Sequence, residues 1–526
     1  MRGWLATMVA VGGLVGAAAP ATAKSVNVEE KSVGELQALM AAKKASSVDL
    51  VQAYLKRIAA MDRKGPTLRS VIALNPDALA QARALDAERR AGRVRGPLHG
   101  IPVLIKDNIE TLDPIATTAG SLALKNNLTR RDAPVVAQLR AAGAVILGKT
   151  NLSEWANIRS THSMSGWSAV GGLVRNPYAL DRTACGSSSG SGAAVAASFA
   201  AAAVGTETDG SVVCPSSING LAGLKPSIGL VSRTHVVPIS HSQDTPGPMA
   251  RSVRDVATLL TAMVGGDPAD APAARPTDYA AGLSTSALSG MRVGVIRPDN
   301  MSADLKIRFE AALEVLRGAG AMLVDVTPPK LDGLGEAELT VLKTELKADL
   351  NTYLATMPTT VTTRTLADVI AFNQANAGME MPFFAQETFD DAVKTGGLND
   401  PAYKAARAKS LRLAGVEGID AMLKNNNVRV LVEPTYDAAW LSDTVYGDAY
   451  AGPSSSELPA IAGYPNLTVP MGLVRGLPVG LSFIATKFGE ATVLGAGYAF
   501  EQRAHARQAP RYLPTANAQP GLEAAR

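Results

Sequence analysis

Residues 183–216, TACGSSSGSGAAVAASFAAAAVGTETDGSVVCPS, decide how the rest of the chain is read. Small residues dominate them, the composition of a flexible linker running into an alanine-rich helix. Gly186–Gly190 also satisfies G-x-S-x-G, with Ser188 at its centre. A nucleophile elbow of that pattern needs a buried strand just before the serine and a helix just after it. The preceding residues 175–185, RNPYALDRTAC, are polar and broken by proline, so the elbow fails on context.

A second chemistry fits the segment better. Its small-residue loop can take backbone angles closed to other residues and leads into a tight helix. GTETDGSV (205–212) then sets a second glycine beside Ser211. Turns of this kind expose backbone N–H groups that can face a developing oxyanion. A serine nucleophile needs a base, and where no histidine is placed for the task the candidate is a lysine of depressed pKa. Lys106 ends the apolar run GIPVLIKD (100–107), a setting in which burial disfavours the ammonium form.

That run reads as a short buried strand. Working outward, residues 132–151, DAPVVAQLRAAGAVILGKTN, give a helix, a glycine stop and a strand. The same logic returns in GMRVGVI (290–296), a helix from Ala303, and MLVDVTPP (322–329), while VRVLVEPTY (428–436) re-enters the sheet. Two helices open the chain, with starts at Ser32 and Ser47, the second being SVDLVQAYLKRIAAM. Helices fill the stretch up to Leu423. Strands alternating with helices and no repeat at solenoid periods predict an α/β fold, one large mixed sheet covered by helices.

Composition bounds the rest. With 526 residues, 47% hydrophobic and 19% charged, the chain has material for a large core. Residues 1–23 read as a secretory signal, with Arg2, a short apolar run and an Ala21-Thr22-Ala23 cleavage site. The apolar run falls short of the roughly 20 residues a bilayer span requires. The mature chain, 24–526, is then expected to be secreted or periplasmic, without a membrane anchor. Loss of Arg2 takes the net charge from +4 to +3, and no basic block interleaved with aromatics appears, so nucleic acid is not an expected partner.

Within 24–526 the N-terminal helices occupy 24–64, a central core 98–255, a Pro/Ala/Asp-rich surface connection 265–290, a C-terminal sheet segment 430–505 and a loose tail 509–526. The two cysteines, Cys185 and Cys214, make no zinc site; core thiols are the expected state, with a bridge as the alternative in an oxidising compartment. His99, His162, His235, His241 and His505 are scattered and match no metal spacing, which points away from a metal hydrolase.

HGIPVLIKDNI, GKTNLSEWA, CGSSSGSGAAVA, GTETDGSVVCP, GLKPS and DTPGPMARSVRD, in that order, resemble the amidase signature family, as does the closing segment 462–501. The resemblance implies a single α/β/α domain with a twisted mixed sheet, no cofactor, and a Ser-cisSer-Lys triad. On matching positions Lys106 is the base, Ser187 the bridging serine after a cis peptide, and Ser211 the nucleophile. Thr208, Asp209 and Gly210 supply oxyanion-hole amides, and Ser188 is a supporting serine. Several positions depart from the common pattern: Cys185-Gly186 stands for Gly-Gly, Glu207 for Asp, Asp209 for Gly and Val213 for Arg.

Those departures, with NLSEWAN and GWSA, resemble the peptide amidase branch, which removes the C-terminal amide of peptide amides. By the same resemblance Ala156 and Asn157 lie along the substrate cleft and Asn157 contacts the peptide; a turn residue is its alternative reading. The expected partner is a small peptide amide, and the expected state a monomer. Competing functions are a broader amidase acting on small acyl, aliphatic or aryl amides, the family's amidotransferase subunit, an esterase built on the Ser188 elbow, and a non-catalytic binding protein.

Overall fold

The computed structural model describes Met1 and residues 26–271, 275 and 277–522. Beyond Met1, the expected signal peptide lies outside the described residues. Strands β1 (Val71–Leu74), β2 (Pro102–Lys106), β3 (Val145–Thr150), β4 (Ala202–Glu207), β5 (Ala222–Lys225), β6 (Thr245–Ala250), β7 (Arg292–Ile296), β8 (Met322–Val326), β9 (Val430–Pro434), β10 (Asn466–Val474) and β11 (Leu477–Ile484) form one sheet. Their order is β1-β3-β2-β4-β6-β5-β10-β11-β9-β7-β8. The sheet is mixed: β3, β2 and β4 run parallel, β6 turns antiparallel to β4, and β9, β7 and β8 form a second parallel group.

Every residue of β2, β3 and β4 is buried, as expected of strands covered on both faces. The helices of this half are α1 (Val33–Ala41), α2 (Ser47–Met61), α3 (Ala78–Arg90), α4 (Pro134–Ala141), α5 (Ser189–Ala196), α6 (Val213–Ile218) and α7 (Val253–Met263), of which α2, α3, α5 and α7 pack on these three strands. In α2 the apolar stripe Leu50, Val51, Tyr54 and Ile58 is buried, and Ser46 caps the helix through the amide of Asp49. The helix starts at Ser47, as the sequence predicts, and Ser47 turns inward and donates its hydroxyl to the Gly100 carbonyl.

The alanine-rich stretch is not one helix. Helix α5 stops at Ala196, and Ala202–Glu207 is the central strand β4, paired with β2 and β6. Alanine has strong helix propensity, but a buried place between two strands outweighs it. Gly190 shows why α5 is built of small residues: a Cβ there would meet the carbonyl oxygens of Ser70 at 2.3 Å and Asn151 at 2.4 Å.

In the second half, α8 (Ala303–Gly318) links β7 to β8, and α9 (Leu334–Ala355) opens a run of helices extending to Asn425 before β9. The chain therefore leaves β7 toward β8 on one side and returns to β9 on the other, so the strand order reverses between β7 and β9. The tail after Gln508, expected to be loose, is tied down as far as Leu522. The Tyr512 amide donates to the Pro177 carbonyl, Leu513 bridges Ala179, and Ala516 is buried. Among the described residues no helix is long and apolar enough to cross a membrane.

Candidate active site

Lys106 is the last residue of β2 and is fully buried. Its Nζ lies 2.7 Å from Ser187 Oγ, 2.8 Å from Thr206 Oγ1 and 3.2 Å from the Thr206 carbonyl oxygen. Asn108 Nδ2 donates to the same Thr206 hydroxyl at 2.9 Å. Burial pulls the Lys106 ammonium down to about 7, against the pull of the Asp244 and Glu207 carboxylates. At neutral pH much of the lysine is a free amine with a lone pair to offer.

Two other lysines are just as buried, but neither is spare. Lys149 sits on β3 opposite Ile105, so strand alternation sends it to the other face from Lys106. There it donates to the Ile109 carbonyl and Thr117 hydroxyl, 3.6 Å from Asp107. Lys225 donates to the Pro226 carbonyl. Only Lys106 of the three meets a serine hydroxyl.

The Gly186–Ser187 peptide is cis. Ser187 and Ser188 are wholly buried, whereas Ser211 keeps 7% of its surface exposed. Ser188 Oγ donates to the Thr206 carbonyl and accepts from the Thr206 amide, both at 3.1 Å, and is thereby clamped to β4. Among the described residues no strand enters this loop from its N-terminal side, so the G-x-S-x-G match is not an elbow. The Ser188 amide donates to the Ser211 carbonyl at 3.1 Å and joins the two serine-bearing segments.

Beyond β4 the chain turns through Thr208, Asp209 and Gly210 into Ser211 and α6. Gly210 has φ +77°, and a Cβ on it would meet Tyr436 Oη at 2.6 Å and Ser456 Oγ at 3.0 Å. Among the described residues the amides of Asp209 and Gly210 donate to nothing. Glu207 Oε2 accepts from the amides of Val212 (2.7 Å) and Val213 (2.9 Å), fixing the start of α6. Thr208 Oγ1 donates to Asp244 Oδ1 at 2.6 Å, and Asp244 also accepts from the amides of Ile239 and Ser240. Burial raises the carboxyls of Asp209 and Glu207 above the ordinary range.

Cys185 and Cys214 are joined as a disulfide, with Cα atoms 6.0 Å apart. The expectation of core thiols is corrected: Cys185 precedes Gly186 and Cys214 stands in the first turn of α6, so the two serine segments bring the sulfurs together. Asn157 ends a turn whose residues Trp155, Ala156 and Asn157 all have positive φ, which fits its reading as a turn residue. Its Nδ2 lies 3.5 Å from Ser165 Oγ.

Ser165 in turn donates to Asp448, which also accepts from Trp440 Nε1. Trp440 packs on Tyr450 and Tyr450 on Tyr436, with ring centroids 4.7 and 5.5 Å apart. This aromatic group is not among the residues that the sequence singles out. Its signal was four aromatics within 436–450 in a chain only 5% aromatic.

Folding also brings His241 beside Glu345 and Asp349, close enough to share a cation. Their atoms are otherwise engaged: Asp349 pairs with His241 Nδ1 at 2.9 Å, and Glu345 accepts from Ser240, Ser242 and Tyr403.

The sequence matches the Amidase family model over residues 49–494. The chain belongs to the amidase signature family. The crystal structure of native peptide amidase from Stenotrophomonas maltophilia superposes on this amidase with TM-score 0.88 at 51% identity, covering 92% of this chain and 99% of that one. A probable amidase of Arabidopsis thaliana is 38% identical over 502 residues, 93% of this chain and 92% of its own. A glutamyl-tRNA(Gln) amidotransferase component of Halorhodospira halophila is 35% identical over 497 residues, 90% of this chain and 97% of its own. The fold is the amidase signature fold, and the enzyme hydrolyses amide C–N bonds.

Proposed function

We propose that this amidase removes the C-terminal amide of peptide amides through an acyl-enzyme, with Lys106 as base, Ser187 as proton bridge and Ser211 as nucleophile. The observation that carries the reading is the contrast between Lys106–Ser187, in contact at 2.7 Å and sealed from water, and Ser211, which alone of the candidate serines keeps exposed surface.

In the neutral form the two N–H bonds of Lys106 go to the carbonyl and hydroxyl of Thr206, leaving its lone pair to accept the Ser187 hydroxyl proton. Ser187 then takes the proton of Ser211 as Ser211 Oγ bonds to the amide carbon. The carbonyl oxygen becomes an oxyanion held by the amides of Thr208, Asp209 and Gly210. The relayed proton returns to the leaving nitrogen, the C–N bond breaks and ammonia departs. Water attacks the ester by the same relay in reverse and frees the carboxylic acid and Ser211.

Likeness to a peptide amidase at 51% identity supports the peptide substrate, as do Asn157 and the aromatic wall of Tyr436, Trp440 and Tyr450. Ammonia release from an N-blocked peptide amide, compared with that from a simple acyl amide, tests it. Faster turnover of the simple amide overturns the peptide reading in favour of a broader amidase.

The site is proposed to work outside the cytoplasm, in a monomer. The signal-like residues 1–23 and the Cys185–Cys214 bond support an oxidising compartment. Cell fractionation with N-terminal sequencing checks this, and an unprocessed cytoplasmic protein contradicts it.

A further inference from the structure

The reversal of strand order between β7 and β9 has a site attached to it. In open α/β sheets, ligands bind outside the carboxyl ends of parallel strands where the order reverses, because the flanking connections part to opposite faces and leave a crevice. Here a crevice of about 530 Å3 lies there, within the range of small-molecule sites. Arg297–Asn300 line it from the end of β7, Thr327 and Pro328 from the end of β8, and Glu433 from the end of β9. Pro453–Ser455, Glu457 and Leu458 close it from the segment before β10.

The lining has two characters. Ile296, Ile419, Met422, Leu431 and Ile484 make one wall apolar. The polar side is acidic, with Glu433, Glu457 and Asp299. The one guanidinium on the rim, Arg297, is already engaged, by Asp325 at 2.9 Å and by Glu310. The Glu433 carboxyl has no hydrogen-bond partner among the described residues, and burial alone pushes it up to about 8. Glu433 is half-buried, so its unpartnered carboxyl faces the crevice space that a ligand donor would occupy.

We infer that this crevice binds an organic amine, its ammonium group against Glu433 and its apolar body along Met422 and Ile296. A carboxylate or phosphate ligand would meet three carboxyls and no free cation. Serine chemistry is not involved, since neither Lys106 nor any of the candidate catalytic serines lines the crevice. Binding therefore has to persist in an enzyme without its nucleophile.

The probe is n-hexylamine, titrated by calorimetry into Ser211→Ala at about pH 8, with 1-hexanol as the uncharged analogue. Saturable amine binding is expected, and the alcohol should bind at least about tenfold more weakly. Glu433→Gln should weaken the amine by a similar factor. Met422→Trp, which fills the crevice from its apolar wall, should abolish binding, so a poorly folded Glu433 variant does not leave the question open. Equal binding of alcohol and amine overturns the inference. So does unchanged amine binding in both crevice variants, or no saturation by about 10 mM. None of these outcomes bears on amide hydrolysis, which is read separately in the unmodified enzyme.

Discussion

The Ser188 amide donates to the Ser211 carbonyl across 3.1 Å, so the loop that carries Ser187 and the turn that carries Ser211 are held as one piece. A second tie, the Cys185–Cys214 bond, lies on the other side of the same pair. The proposed relay requires this: a proton passes between side chains only when their separation is fixed to a fraction of an ångström.

Replacing Ser211 by Ala removes the group that attacks. Hydrolysis should fall by roughly 10^4-fold or more, with substrate affinity retained. Ser188→Ala should cost far less, because Ser188 is clamped to Thr206 and buried. Single-turnover ammonia release measures both, and comparable losses at the two positions would contradict the assignment.

The base should be visible in the pH profile. Lys106 has to be neutral to accept a proton and is pulled down to about 7, so kcat/KM should rise with pH through about 7 and level off above it. Asp244→Asn removes a carboxylate that favours the ammonium, so the ascending limb should move to lower pH. A limb that stays in place would show that another group titrates.

Lys106→Met separates function from stability. The folded pKa lies below the unfolded value, so between about 7 and the ordinary lysine range the unfolded chain holds a proton the folded chain lacks, and stability rises with pH there. Burying this lysine is therefore a cost near neutrality. The methionine variant should be inactive with a Tm equal to or above that of the parent at pH 7, read by calorimetry. A large drop in Tm would mean that Lys106 holds the fold together.

Gly210→Ala places a Cβ 2.6 Å from Tyr436 Oη at φ +77°. The strain, about 1–3 kcal/mol, should distort the turn and lower kcat more than it raises KM. Adding Tyr436→Phe deletes the nearest atom and should recover part of the loss; no recovery would show that φ alone sets the penalty.

The Cys185–Cys214 bond closes a loop of sequence separation 29. In the chain-entropy picture it stabilises by about 3–4 kcal/mol. Denaturant unfolding with and without a reductant should show that difference, and the Cys185→Ser/Cys214→Ser double variant should lose activity ahead of global unfolding. Full activity in the double variant would leave the Ser188–Ser211 hydrogen bond as the sufficient tie.

Much of this protein was legible in the chain. Apolar runs ending in charge marked β2 and placed Lys106, because a strand buried on both faces is a local pattern. The helix-stop-strand unit at 132–151 and the helix of 47–61 followed from periodicity in the same way. The ordered motifs from His99 to Asp255 marked Ser187 and Ser211 by resemblance. Other features were set by contacts between segments distant in sequence. Ala202–Glu207 became a strand against its propensity because β2 and β6 flank it. The cysteines are bridged because two serine segments fold side by side, and the tail is ordered because Tyr178 and Pro177 receive it. The distinction between Lys106 and Lys149, two lysines in similar apolar runs, is a matter of which face of the sheet each enters and what waits there. Sequence by itself determined the α/β pattern and the residue types of the site. Tertiary structure alone decided which serine reaches solvent and which lysine meets a serine hydroxyl, because burial and partnership belong to the packed sheet, not to any stretch of chain.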